Sequence, residues 1–437
     1  MRGWSSKPKG LNLKNLLHKL IIFNNFVYST IIMAKQKNNI TAPSFANVWD
    51  SSVPSEISSY VKDNLLRFYE KDLNHGLNMI DLFCGAGGFS VGASWAGFNP
   101  VLGIDHFEPA IRTWEHNHPN AIACLGDIRQ INPEVCRDML AEKGINHIHL
   151  LTGGVPCQGF SLANRKHNDD DPRNFLFREF MKYVGVFTPD YIILENVSGM
   201  KMRKGGQFVN DIQTAMDELG YNVSINLVNS AQFGVPQIRK RLIFVGVRRN
   251  VGLAEHYTFP TPPITNAEDF VTVHDAFSDL PRLNAGQCRI RYATPPQNRY
   301  QELMRGVGHI NNIPVPDKLN NHKAPNHPEE TIRMIAATPQ GEPMYEAFKQ
   351  RIRLNENLPS PTQLAGGIRP SFQFGHPTQA RGLSTRERAR IQSFPDSYEF
   401  IGGIVQERVQ TGNAVPPLLI YELVRSISAD IIRRDNQ

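Results

Sequence analysis

From Asn78 to Arg248 short apolar runs alternate with segments of helical periodicity, and that alternation constrains the fold more than any single motif. The strand-like runs are Met79–Phe83, Val101–Ile104, His147–Leu151, Tyr191–Leu194, Val223–Val228 and Leu242–Val247. Between them Phe89–Ala96, Pro109–Asn117, Pro133–Lys143, Asn174–Val186 and Phe208–Leu219 read as helices. Connections of this length suit parallel crossovers, so the expected fold class is α/β with a doubly wound sheet over residues 76–248. The last two strands lie close enough in sequence to pair as a hairpin.

After Arg248 the texture changes. Pro260, Pro262, Pro263, Pro281, Pro295, Pro296, Pro314 and Pro316 break any regular alternation, so residues 249–380 read as a second, smaller, loop-rich domain. Periodicity resumes in residues 381–437, which return to the first domain. There Ser384-Thr385-Arg386-Glu387 has the pattern of a capping box opening a helix through Gln392, and Pro416 and Pro417 suit the first turn of a final helix.

A net charge of +6 invites a nucleic-acid reading, but residues 1–40 hold seven Lys or Arg and no acid, so the excess belongs to that extension. The extension loosely imitates a signal sequence. Its apolar run is too short to span a bilayer and is broken by Asn24 and Asn25, so a disordered or non-native start ahead of Met33 is expected, and no membrane association. The five cysteines, at 84, 124, 136, 157 and 288, contain no CxxC pair. That pattern points to a reducing, cytoplasmic compartment and to no structural metal site.

Three short runs carry chemistry. Pro156-Cys157-Gln158 sits in a glycine-rich turn directly after the run His147–Leu151, where a cysteine is presented as a nucleophile rather than packed as a core thiol. Glu195-Asn196 ends the run Tyr191–Leu194. In Gln237-Ile238-Arg239-Lys240-Arg241 the two arginines alternate, so an extended segment aims both at one face, where planar guanidinium groups suit a base carbonyl, a phosphate or a carboxylate. A fourth run, Asp81-Leu82-Phe83-Cys84-Gly85-Ala86-Gly87-Gly88, is a glycine loop between strand and helix, a place where a ligand approaches backbone N–H groups. Asp105 follows the second strand, where a carboxylate can accept ribose hydroxyls.

With Gln410-Thr411-Gly412-Asn413-Ala414-Val415-Pro416-Pro417 near the end, these runs stand in one order, and together they resemble the DNA cytosine-5 methyltransferases of bacterial restriction-modification systems. The resemblance implies a Rossmann-like, S-adenosylmethionine-dependent methyltransferase sheet, with residues 249–380 as the target-recognition domain. It implies S-adenosylmethionine held by Phe83, Gly85, Gly87, Asp105, Asp127, Ile128, Pro156, Leu176, Asn413 and Val415, with Asp127 accepting from the adenine amino group. Where the family more often carries Glu and then an aromatic residue, this chain has Asp105 and His106.

It further implies Cys157 as the nucleophile that adds to carbon 6 of cytosine, Glu195 as the group at ring nitrogen 3, and Arg239 and Arg241 as their partners. Gln158, Ser161, Arg165 and Gln237 are the expected DNA contacts. The loop from Gln158 to Arg173 would close over a base flipped out of the duplex. Arg289-Ile290-Arg291 and Arg351-Ile352-Arg353 either read DNA or are solvated faces. The implied partners are duplex DNA and a restriction endonuclease acting on the same site, with the enzyme a monomer. Methylation of transfer RNA by a related fold, and a binding protein that has lost activity, are the competing readings.

Overall fold

The computed structural model describes residues 76–156, 176–197, 206–308, 310, 313–365 and 372–437. The expectations for the 1–40 extension and for Cys157, Gln158, Ser161 and Arg165 lie outside those residues.

In chain order come β1 (Leu77–Leu82), α1 (Gly88–Trp95), β2 (Phe98–Asp105), α2 (Glu108–Asn117), β3 (Ile122–Leu125), α3 (Pro133–Glu142), β4 (Leu150–Gly154), α4 (Leu176–Phe187), β5 (Tyr191–Val197), α5 (Gln207–Glu218), β6 (Tyr221–Asn229) and β7 (Lys240–Arg248). These strands form one sheet in the order β3-β2-β1-β4-β5-β7-β6. Pairings among β1 to β5 are parallel, whereas β7 runs antiparallel to both β5 and β6. The predicted hairpin is this β6–β7 pair. The chain steps outward through β2 and β3, then returns to β4 on the other side of β1. That reversal makes the carboxyl ends of β1 and β4 the topological switch point, where ligands of open α/β sheets bind.

Alternate residues of each central strand face opposite sides, and both sides are covered. Met79, Leu150, Ile193 and Val245 belong to one apolar cluster; Ile80, Leu151, Ile192 and Phe244 belong to the other. Burial on both faces is why these strands read as near-continuous apolar runs. Sequence pattern missed β3, a four-residue edge strand too short to show periodicity. It also set β4 three residues early, because Thr152, Gly153 and Gly154 continue the strand without looking like one.

The later helices are α6 (Val273–Phe277), α7 (Arg299–Met304), α8 (Glu329–Ala337), α9 (Thr385–Ile391), α10 (Ile404–Asn413) and α11 (Pro417–Asp435). Ser384 and Glu387 close the predicted capping box at the start of α9. The 249–380 stretch is loop-rich, and many of its apolar side chains join the main core. Tyr257, Val273, Phe277, Tyr300 and Leu354 share a cluster with Phe89 of α1 and Leu423 of α11. Among the described residues, Ile335, Met344 and Phe372 form a small core of their own. Residues 76–437 fall within one compact unit. No helix among the described residues is long and apolar enough to cross a membrane.

Candidate active site

Five strands of the sheet deliver the site from their carboxyl ends; Arg241 comes from β7 and Arg239 from the residue just before it. β1 runs into the glycine loop, where Phe83, Gly85 and Gly87 have φ of 54°, 52° and 84°. The loop is pinned on both sides. Cys84 N–H donates to Ile104 O at 3.0 Å and Gly87 N–H to Cys84 O at 2.8 Å, while Tyr398 O–H donates to Ala86 O at 2.6 Å. A Cβ on Gly87 would lie 2.7 Å from that Tyr398 hydroxyl, but one on Gly85 would meet nothing within 4 Å. The loop is therefore packed behind and open in front.

Asp105, at the end of β2, faces the same opening. Its Oδ2 accepts from Gly85 N–H at 2.8 Å and its Oδ1 from Phe107 N–H at 2.8 Å. The two backbone bonds fix the carboxylate and leave further lone pairs for hydroxyl donors. His106 Nδ1 stands 3.4 Å from Asp105 Oδ1, with its side chain 58% exposed. An open glycine cradle beside an anchored carboxylate fits an adenosine-bearing cofactor such as S-adenosylmethionine.

Asp127 follows β3, with Ile128 buried beside it. Both Asp127 oxygens are taken by Arg129, through its backbone N–H and its guanidinium. Burial opposes charge there, but those hydrogen bonds outweigh it and hold the carboxyl below its ordinary value. Pro156 and Leu176 are half-buried at the end of β4 and the start of α4. Val415 is buried against the glycine loop's helix, whereas Asn413 is exposed.

The second half of the site forms where β5 lies between β4 and β7. Glu195 pairs with Gly154 in register, and a Cβ on Gly154 would lie 3.6 Å from Glu195 Oε2. Val197 faces Arg241 across the β5–β7 ladder, which makes Glu195 and Arg241 diagonal neighbours. Arg241 Nε approaches Glu195 Oε1 to 2.6 Å. The N–H is not aligned along that line, so Oε1 has no hydrogen-bond partner among the described residues. Asn196 holds the turn: its Oδ1 accepts from Val197 N–H at 2.8 Å and its Nδ2 reaches Val155 O at 3.5 Å.

Arg239 is 2% exposed and has no carboxylate in contact among the described residues. Its guanidinium donates long bonds to the carbonyls of Gln363, Gly412 and Asn413, at 3.3 to 3.5 Å. Burial, reinforced by Arg241, pushes its pKa well below the usual arginine range, and Glu195 opposes the shift. The two arginines and Glu195 thus act on one another, and the carbonyls beside Asn413 tie this half to the cofactor half.

Two expectations are corrected. Gln237 is fully buried: its Nε2 donates to Gln392 Oε1 at 2.9 Å and its Oε1 accepts from Gln363 N–H at 2.9 Å. An amide so enclosed and engaged is a structural link, not a DNA contact. Arg351 is buried over the Phe348 ring, 4.0 Å from its centroid, and Arg353 binds the carbonyls of Pro377 and Thr338, so that pair faces protein rather than DNA or solvent. Arg289 and Arg291 are exposed. Sequence reading missed Arg129, whose signal was its position two residues after Asp127. It also missed Tyr398 and Gln392, for which no local pattern exists.

One group of possible metal ligands occurs among the described residues: His147, His149 and Asp190, at the opposite end of the sheet. Several of its ligand atoms already have partners. Asn78 N–H donates to His149 Nδ1 at 3.0 Å, and Asp190 pairs with Arg434 and His147, both at 2.8 Å.

The C-5 cytosine-specific DNA methylase model matches residues 77–429. Type II methyltransferase M.DdeI of Desulfomicrobium norvegicum is 34% identical over 80% of this chain and 88% of its own. Type II methyltransferase M1.HphI of Haemophilus parahaemolyticus is 33% identical over 80% of this chain and 86% of its own. Among solved structures, a chain described as a DNA modification methyltransferase encoded within an E. coli prophage superposes with a TM-score of 0.67 at 27% identity, over 83% of this chain and all of that one. The Entamoeba histolytica methyltransferase EhMeth shares the fold at 13% identity, with a TM-score of 0.53 over 82% of this chain and 99% of its own. The chain therefore belongs to the C-5 cytosine-specific DNA methylases, enzymes that methylate cytosine in DNA with S-adenosylmethionine as methyl donor.

Proposed function

We propose that the protein methylates carbon 5 of cytosine within one short duplex sequence, as the modification enzyme of a restriction-modification pair, through a covalent adduct on Cys157 and a flipped base. The observation that carries this reading is the Glu195–Arg241 pair at the end of β5, beside the strand that leads to Cys157 and next to the open glycine cradle. Carbon 5 of cytosine is a weak nucleophile. Addition of the Cys157 thiolate to carbon 6, with Glu195 donating to ring nitrogen 3, makes carbon 5 an enamine carbon able to attack; bound S-adenosylmethionine would supply the methyl group and leave as S-adenosylhomocysteine. Loss of the carbon 5 proton to water then breaks the carbon 6–sulfur bond, releases the Cys157 thiolate and restores the aromatic ring. Glu195 Oε1, without an aligned donor among the described residues, suits the ring-facing role, and Arg241 orients it.

In the cofactor half, Asp105 holds the ribose and Asp127 receives the adenine amino group, with Phe83, Gly85, Gly87, Ile128, Pro156, Leu176, Asn413 and Val415 lining the rest. Residues 249–380 recognise the target sequence, with Arg289 and Arg291 as exposed candidates for base or phosphate contact. The chain works as a monomer, and its nuclease counterpart shares the DNA site without binding the protein.

The test is to incubate the protein with labelled S-adenosylmethionine and either mixed-sequence duplex DNA or transfer RNA, then map 5-methylcytosine. Label at one recurring DNA motif is expected; label confined to RNA would overturn the reading. Wild type, but not Cys157→Ser, is expected to form a stable adduct with 5-fluorocytosine DNA, and turnover without an adduct would remove Cys157 from its role.

A further inference from the structure

The carboxylate assigned to the adenine amino group is already filled from within the chain. Asp127 Oδ1 accepts from Arg129 N–H at 3.0 Å and from Arg129 Nε at 2.9 Å; Oδ2 accepts from Nε at 3.1 Å and from Nη2. Three Arg129 hydrogens reach the carboxylate, the one on Nε shared between both oxygens, so most of its roughly four lone-pair sites are engaged. An incoming amino group must compete with that set.

Glu179, on the first turn of α4, which begins at the cofactor candidate Leu176, is an electrostatic neighbour of the Arg129 guanidinium. Glu179 at present holds Lys182 at 2.7 Å, an i,i+3 surface pair that yields at small cost. The Arg129 side chain is 57% exposed and that of Asp127 31%, so their own pair is also weakly held and salt-sensitive.

We propose that Arg129 is a placeholder for the cofactor's adenine: it occupies Asp127 in the free protein and must yield that carboxylate before the amino group can dock. This deepens, and rests on, the adenine role proposed for Asp127. Arg129 thereby sets cofactor affinity by competition, without touching the reacting atoms. It also keeps Asp127 ionised and aimed, ready to accept once vacated.

The test is calorimetric titration, without DNA, of wild type, Arg129→Ala and Asp127→Asn with S-adenosylhomocysteine and with its 6-oxo analogue S-inosylhomocysteine, at low and high ionic strength. At low salt, Arg129→Ala is expected to bind S-adenosylhomocysteine roughly two- to five-fold more tightly than wild type, the size of a weak surface pair. That advantage shrinks at high salt, where screening loosens the pair in wild type. Equal or weaker binding by Arg129→Ala overturns the placeholder. Asp127→Asn reports the underlying reading separately. Loss of its preference for the amino over the 6-oxo ligand supports the adenine role, and an unchanged preference overturns that role and the placeholder with it. A lost preference combined with no gain in Arg129→Ala overturns the placeholder alone.

Discussion

A Cβ placed on Gly88 would lie 2.0 Å from the carbonyl oxygen of Val415, and one on Gly92 would lie 2.2 Å from that of Pro417. The two glycines, four residues apart on one face of α1, admit the backbone that leads into α11. The cofactor half of the site is thus made by two segments more than three hundred residues apart in sequence.

Gly88→Ala has no room to relax, since the obstacle is backbone. We expect a loss of about 1–3 kcal/mol or more in stability, read by thermal or urea unfolding, together with loss of S-adenosylhomocysteine binding. Gly85→Ala separates the two effects. Its Cβ enters open space at φ 52°, so stability falls by only about 1–2 kcal/mol while cofactor affinity drops. Unimpaired cofactor binding by Gly85→Ala would show that the open side of the loop is not the cofactor's.

Glu195→Gln keeps the volume of the side chain and removes its acid. The methyl-transfer rate is expected to fall roughly 10²–10⁴-fold, with S-adenosylhomocysteine affinity unchanged. Arg241→Lys will not substitute, because a point charge on a flexible stem loses the planar approach to Glu195. Single-turnover rates with saturating DNA distinguish these outcomes from weakened binding.

Asp81 lies fully buried under the glycine loop, and burial pushes its carboxyl from 3.8 up to about 7, against hydrogen bonds from Ser90 and Thr152. The folded protein therefore keeps a proton that the unfolded chain releases above about pH 4. This contribution to stability is complete below the unfolded value and is lost as pH rises through about 7. Asp81→Asn, always uncharged, should lose stability less steeply between pH 4 and 7, with a difference on the order of a few kcal/mol at the upper end. Parallel curves from urea unfolding across that range would contradict the assignment.

Arg390 is fully buried and bound to two buried carboxylates, Asp279 at 2.5 Å and Asp396 at 2.5 Å. Arg390→Met leaves both uncompensated apart from Arg305 and Arg386, and is expected to cost about 3–5 kcal/mol. Poor recovery of folded protein, or a greatly lowered unfolding midpoint, is the readout.

The sheet was legible because burial on both faces writes each central strand as an apolar run, and the glycine loop because its backbone needs left-handed conformations. Asp105 and Glu195 were legible from their places at strand ends. Gln237 was misread because its neighbours in sequence are the arginines, whereas its neighbours in space are Gln363 and Gln392, more than a hundred residues on. The same holds for Arg351 and Arg353, whose spacing looks like an exposed basic strand and whose guanidinium groups are spent on rings and carbonyls. Arg129 was overlooked because its spacing from Asp127 allows a pair, but only side-chain geometry shows that it occupies both oxygens of that carboxylate.

The junction of α1 with the Val415–Pro417 backbone has a consequence for synthesis. A ribosome delivers the glycine loop more than three hundred residues before its packing partner, so the cofactor half of the site cannot close until the Val415–Pro417 segment has emerged. A nascent product that stops short of that segment, even with an intact nucleophile segment, still lacks the surface that holds its methyl donor.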